Sequence, residues 1–340
     1  MNSRNRQWVL AARPQGAVKV SDFRLTESPL RALDPGEFRI QVLYLGVAAV
    51  MRGYMLNTEK FERPLELGDV MHGRGVGRIV ESRNPEWSVG EIVHGKMGWQ
   101  DFAIADGSPY FLMFKVRQRQ VPLSTALGVL GLTGFSAYLG LVHVGALRAG
   151  DQVLVSGAAG GVGSLVGQIA HNLGAQAVGI AGGPEKCRFL QIKLGYRAAI
   201  DYRNEDLQPR LAELMPEGID VFFDNVGGAI LDTALLHINR HARIVLCGAI
   251  SQYIEGELKP YPLTNAYQIF KKMARMEAFF IYELSAHFAE AESRMAEWVA
   301  EGKLHYQEDI LDGLESTPEA LIRLFTGQNI GKQLVRVHAE

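Results

Sequence analysis

The chain has 340 residues, 47% hydrophobic and 21% charged, an ordinary soluble composition long enough for two cores. Its 35 basic and 37 acidic residues leave a net charge of −2, so it carries no general cationic excess for nucleic acid. Cys187 and Cys247 allow at most one disulfide and form no C-x-x-C pair, which fits a reducing, cytoplasmic setting. The basic N-terminus lacks an apolar core of signal-peptide length, and no apolar run approaches the roughly 18 residues of a membrane span.

From Gln7 to Ile104, short β-rich runs alternate with turn signals such as Asp34-Pro-Gly and Asn84-Pro. The runs are Trp8–Leu10, Glu37–Leu45, Gly75–Glu81, Glu91–Gly95 and Trp99–Ile104. Without helical periods between them they predict a compact antiparallel barrel. Ser124 to Leu147 is apolar and glycine-spotted, and reads as buried helices bridging two domains. From Asp151 strands and helices alternate: Gln152–Ser156, Gln176–Ala181, Ala198–Asp201, Gly218–Asp224 and Ala242–Leu246 predict a parallel sheet with crossover helices. A further strand is expected at Ala278–Ile281, a helix over His287–Glu301, and a final strand at Gln333–Val337. The expected boundaries are a barrel domain at 1–125, a Rossmann domain at 126–300, and a segment at 301–340 that returns to the barrel.

The densest signal is Val153-Leu-Val-Ser-Gly157-Ala-Ala-Gly160-Gly161-Val162-Gly163, an apolar run that breaks into glycines before a helical stretch, Ser164–Leu173. Glycine permits positive φ and close backbone approach, and a helix N-terminus aims free N–H groups at an anion. The spacing G-x-x-G-x-x-G is looser than G-x-G-x-x-G, and a tight buried β-turn-α corner explains it too. The strand before and the helix after match a dinucleotide loop.

The second strand of that unit ends Gly179-Ile-Ala-Gly182-Gly183-Pro-Glu185-Lys186. An NAD site usually offers a carboxylate there to the ribose 2′-hydroxyl. Here two glycines leave room for a bulky group and Lys186 supplies a cation, which favours NADP(H), whose 2′-phosphate a carboxylate would repel. Glu185 is placed to point away and complement the helix dipole. The alternative is that Lys186 is a solvated helix residue. The nine histidines and two cysteines show no zinc-ligand spacing, no G-x-S-x-G elbow is present, and Cys187 lacks an adjacent base. No metal is therefore expected, and the chemistry falls to the cofactor.

Several stretches together carry a family resemblance: Val70-Met-His-Gly-Arg-Gly-Val-Gly-Arg, Gly98-Trp-Gln-Asp-Phe, Gly157 to Gln168, Ala181-Gly-Gly-Pro-Glu-Lys-Cys, Ile200-Asp-Tyr202, Phe223-Asp-Asn225-Val-Gly-Gly, Cys247-Gly-Ala-Ile-Ser-Gln-Tyr253 and Asn329-Ile-Gly-Lys. The chain resembles, over nearly its whole length, the zinc-independent medium-chain dehydrogenase/reductases. The resemblance is to the branch of NADPH-dependent alkene reductases that act on prostaglandins, leukotrienes, alkenals and curcumin. It implies an α/β fold with a Rossmann-type parallel sheet domain and a GroES-like β-barrel domain. Where zinc-dependent relatives carry a His-Glu pair, this chain has Gly73 and Arg74.

By that resemblance Gly160, Gly161, Val162 and Gly163 would hold the pyrophosphate, and Lys186 and Tyr202 the 2′-phosphate. Asn225 would lie on the adenosine side, and Asn329 would close the cofactor from the barrel side. Cys247, Gly248, Ala249, Ile250 and Ser251, with Phe279, Phe280 and Ile281, would line the nicotinamide. The implied reaction is reduction of the C=C bond of an α,β-unsaturated ketone or aldehyde, with Tyr253 donating to the developing enolate oxygen. One departure is Gly46-Val-Ala-Ala-Val50 where relatives run Ser-x-Asp-Pro-Tyr, which predicts a wider, more apolar pocket with Val50, Met51, Tyr54, Tyr261 and Tyr267 as lining candidates. A small-molecule enone or enal and a second copy of the chain, making a homodimer, are the expected partners, with neither nucleic acid nor membrane. Quinone reduction and a catalytically idle NADPH-binding protein are the alternatives.

Overall fold

The computed structural model describes residues 4–56, 64–116, 121–253 and 261–340. The N-terminal part contains strands β1 (Arg4–Leu10), β2 (Phe23–Pro29) and β3 (Phe38–Gly46), the single helical turn α1 (Met51–Tyr54), and strands β4 (Arg74–Ser82), β5 (Ile92–Lys96), β6 (Phe102–Ala105) and β7 (Phe114–Lys115). Helix α2 (Leu132–Leu139) leads into the second half. There β8 (Gln152–Val155), α3 (Gly163–Asn172), β9 (Gln176–Ala181), α4 (Pro184–Leu194), β10 (Ala198–Asp201), α5 (Leu207–Leu214), β11 (Ile219–Asp224), α6 (Gly228–Ala234) and β12 (Ile238–Leu246) alternate. Helix α7 (Tyr267–Lys271), strand β13 (Arg275–Ala278), α8 (Phe288–Ala300), β14 (Glu308–Asp312), α9 (Thr317–Thr326) and β15 (Lys332–Arg336) complete the chain.

The second half forms a parallel sheet in the order β10-β9-β8-β11-β12-β13. Its strands are continuous apolar runs because helices cover both faces. Successive side chains point opposite ways, so Val153, Val155 and Phe223 pack with Leu165 and Ile169, while Leu154 and Phe222 pack with Leu211 and Leu231. The sheet is the expected Rossmann-type one. The GroES-like part is built on β14-β15-β3-β4-β5-β7, with β6 also on β3; among the described residues this ladder is open rather than closed on itself. The tail joins it through β15, whose Leu334 pairs with Gly46 of β3.

Some elements differ from expectation. The strand expected at Ala278–Ile281 lies earlier, at Arg275–Ala278, because β12 ends at Leu246 opposite Ala278 and offers no further partner. Beyond it the chain tightens into a 3-10 segment, Ile281–His287. Strands β2, β7 and β14 and helices α1, α7 and α9 have no counterpart among the expected elements; β2 and β14 are half-exposed and so lack the apolar run that marks a buried strand.

Candidate functional site

The strand order reverses between β8 and β11, and the turns that leave those strands diverge around a crevice, the usual ligand position in an open α/β sheet. A buried polar knot holds them. The Ser156 hydroxyl donates to the Asp224 carboxylate at 2.5 Å, and the N–H groups of Val226 and Gly227 donate to that carboxylate at 3.0 Å each. Burial pushes the Asp224 carboxyl upward although these donors favour its charged form. Asn225 is spent on the knot: its side-chain amide donates to the Ser156 carbonyl at 2.8 Å.

The turn after β8 needs its glycines. Gly157 has φ +57°, and a Cβ on Gly163 would stand 2.4 Å from the Gly157 carbonyl oxygen. The tail closes over this turn through the Gly331 N–H, which donates to the Ala159 carbonyl at 2.8 Å. Asn329, 7% exposed, donates to the Gly331 carbonyl and stiffens the closure.

These parts border one cavity of about 1220 Å³ between the two sheets. Gly160, Gly161, Val162, Gly163, Lys186, Tyr202, Asn225 and Asn329 line it. So do Cys247, Gly248, Ala249, Ile250, Ser251 and Tyr253, Phe279, Phe280 and Ile281, and Val50, Met51 and Tyr54. Tyr261 and Tyr267 do not, which corrects the expectation for them. They are 40% and 67% exposed, and Tyr267 opens α7 against Phe270 at a centroid distance of 5.6 Å.

At one end, Lys186 on α4 and Arg203 just past β10 face each other across Gly182 and Gly327. A Cβ on Gly327 would lie 2.8 Å from an Arg203 guanidinium nitrogen and 4.0 Å from Lys186 Nζ. Burial, then the nearby Arg203 charge, hold the Lys186 ammonium below its ordinary pKa. Asp201, the acid beneath them, is engaged by the N–H groups of Gly183 at 2.7 Å and Arg203 at 3.1 Å. Glu185 is exposed and outside the cavity lining. Asp309 and Glu185 act the other way on Lys186, but less than burial and Arg203 do, so the two converging cations suit a dianion. Arg203 was missed by sequence reading, where it sits next to Tyr202 as one more surface cation.

Lys332 was missed as well. Its stem packs against Gly161, within 3.3 Å of the position a Cβ would take there, and its Nζ donates to the Val47 carbonyl at 3.1 Å. Burial pushes its pKa down to about 8, with Glu308 acting the other way. The only sequence signal was its place at the end of Asn329-Ile-Gly-Lys.

Toward the other end, the Tyr253 phenol accepts the Ala249 N–H at 3.4 Å, which leaves its own proton free to donate. Burial raises its pKa further above the phenol norm. Cys247 beside it is a packed thiol, pushed up to about 12 by burial, and is no nucleophile at neutral pH. At the barrel wall Gly73 has no space for any side chain, since a Cβ would stand 2.6 Å from the Trp99 indole. Arg74 hydrogen-bonds His94, Tyr282 and the Leu112 carbonyl. A cation and a bare glycine at these positions do not fit a zinc ion.

Residues 6–113 match the family described as the N-terminal domain of oxidoreductase, and residues 161–300 the family described as zinc-binding dehydrogenase. The NADPH-dependent curcumin reductase of Escherichia coli (strain K12) is 40% identical, covering 98% of this chain and 97% of that protein. The NADP(+)-dependent 2-alkenal reductase of Nicotiana tabacum is 36% identical over 99% of this chain and 98% of its own length. The crystal structure of CurA from Vibrio vulnificus in complex with NADPH superposes with a TM-score of 0.92 at 38% identity, covering 98% of this chain and 100% of that one.

Proposed function

Because the chain belongs to the medium-chain dehydrogenase/reductase family, we propose that it is an NADPH-dependent reductase of the C=C bond of α,β-unsaturated ketones and aldehydes. The observation that carries this reading is the meeting, in one cavity, of the glycine turn, the Lys186 and Arg203 cations and the Tyr253 phenol. NADPH, when bound, supplies a hydride to the β-carbon.

The chain's own residues do the rest. The glycine turn and the N-terminus of α3 offer backbone N–H groups to the diphosphate, with Lys332 as a neighbouring cation. Lys186 and Arg203 take the 2′-phosphate, and Tyr202 flanks it. Tyr253 would hold its hydroxyl proton toward the substrate carbonyl oxygen, the atom on which negative charge develops in such a reduction. The balance is one hydride at the β-carbon and one proton, drawn from solvent, at the α-carbon. No step runs through zinc, since Gly73 and Arg74 offer it no ligand. Val50, Met51 and Tyr54 give the cavity an apolar stretch that suits a hydrophobic enone.

The expected domain limits, 1–125, 126–300 and 301–340, remain our proposal, supported by the β15 to β3 pairing. A homodimer formed by pairing β13 edges is likewise our reading; β13 ends the parallel sheet and is largely exposed. No helix among the described residues is long and apolar enough to cross a membrane, and we propose a cytoplasmic enzyme.

The test is NADPH consumption against a panel of enals, enones and quinones, with the products identified. Saturated carbonyl products from enones are expected. Turnover of quinones alone moves the protein to quinone reduction, and none across the panel leaves a non-catalytic NADPH-binding protein.

A further inference from the structure

Outside the cavity, the fold brings together three side chains from separate elements. His143 lies on the π-turn segment Gly140–Val144 that continues α2, His287 closes the 3-10 segment Ile281–His287, and Glu290 sits in the first turn of α8. Each offers one ligand atom, and these atoms all lie within 4.8 Å of one another. The imidazole centroids are 4.2 Å apart at 45°, and His287 Nδ1 stands 3.6 Å from a Glu290 oxygen.

We propose that His143, His287 and Glu290 form a peripheral three-ligand site for a borderline divalent transition metal, zinc(II) above all. Two imidazoles and one carboxylate are a donor set that zinc accepts, with metal–ligand distances near 2.0–2.2 Å that put tetrahedral ligand atoms roughly 3.4 Å apart. Reaching that value from a spacing within 4.8 Å takes side-chain rotation at the site. The Tyr138 hydroxyl donates to the other Glu290 oxygen at 3.3 Å, which orients the carboxylate from behind, as outer partners of metal ligands do. The position is open to solvent on one side: His287 and Glu290 side chains are 43% and 54% exposed, leaving room for a water as fourth ligand.

The elements that would be joined also border the cavity. Thr133 and Ser136 of α2 line it, as do Ile281 and Tyr282 at the start of the segment that ends in His287. A metal there would tie two walls together from outside, adding rigidity without touching the reacting atoms.

Isothermal titration of the tag-free full chain with zinc chloride reads the site, with cobalt(II) visible absorption reporting coordination geometry. The expected result is one saturable zinc per chain, an intense tetrahedral-type cobalt spectrum displaced by zinc, and no binding of magnesium. His143→Ala and His287→Ala should each weaken zinc at least tenfold, and Glu290→Gln should weaken it less. Both imidazoles are at the surface, so unchanged circular dichroism and NADPH affinity in these variants serve as the folding controls. Absence of saturable binding in the native chain overturns the proposal, and so does binding that survives in the His143→Ala, His287→Ala double variant. The outcome is independent of whether enones are reduced.

Discussion

Lys186 and Arg203 approach one another at the cavity rim, and the ammonium is held below its ordinary pKa by burial and then by the guanidinium, against a smaller opposite pull from Asp309 and Glu185. An arriving phosphate removes that repulsion and gains charge-assisted hydrogen bonds, each about 1.5–3 kcal/mol. Lys186→Ala should therefore weaken NADPH binding by roughly 10- to 150-fold, and Arg203→Ala, more exposed, by a smaller factor. NADH, lacking the phosphate, should lose almost nothing. Fluorescence titration with both cofactors decides it, and equal losses would sink the assignment.

For Tyr253, the phenol proton is free while the oxygen accepts from Ala249. Tyr253→Phe should leave the NADPH dissociation constant within about twofold and lower kcat for enones by roughly 10²–10³, the range for loss of one oxyanion donor. Pre-steady-state hydride transfer measured at 340 nm separates that loss from slowed product release. An unchanged rate would move the donor role elsewhere.

Lys332 links binding to protons. In the free protein it titrates at about 8, against 10.5 ordinarily, so between those values the unfolded chain binds the extra proton and folding stability from this group rises with pH. Below about pH 8 its burial cost is present in full. A diphosphate beside it favours the charged form, so NADPH binding at pH 8.5 should take up a proton, and affinity should fall as pH climbs through 8. Calorimetry in buffers of different ionisation enthalpy measures the uptake. Lys332→Met should abolish it and, at pH 7, raise the melting temperature of the free protein.

The tail's closure depends on Gly331, which has φ +75° and would bring a Cβ to 2.1 Å from the Gln307 carbonyl oxygen. Gly331→Ala should cost about 1–3 kcal/mol through backbone strain, more if β14 must shift, and should weaken both cofactors alike. Thermal unfolding and the two titrations distinguish this from a phosphate effect.

Much of the fold was legible because its signals are local. The glycine turn, the apolar β8, β9 and β11, and the Lys186 cation need only a strand-turn-helix frame to be read. The rest depends on chain crossings that periodicity does not carry. Arg203 matters because Gly182 and Gly327 leave it facing Lys186, and Lys332 because β15 returns to pack on Gly161. His143 and His287 meet only when α2 and α8 pack. Tyr261 and Tyr267 show the converse: nearness to a site in sequence does not place an aromatic side chain in it, and both are exposed. The end of β13 was misplaced because Phe279 and Phe280 look like strand, and only the length of β12 shows where pairing stops.

The contact between Gly73 and the Trp99 ring also limits how this protein can change. A histidine at 73 would collide with an indole that is fully enclosed beneath β1 and β2, and shrinking that indole first would leave a void in the barrel core. Acquiring a metal-ligating pair here therefore takes three substitutions, at 73, 74 and 99, and those at 73 and 99 are each damaging alone. Directed evolution by single steps should find new substrates at Val50 and Met51 long before it finds a metalloenzyme.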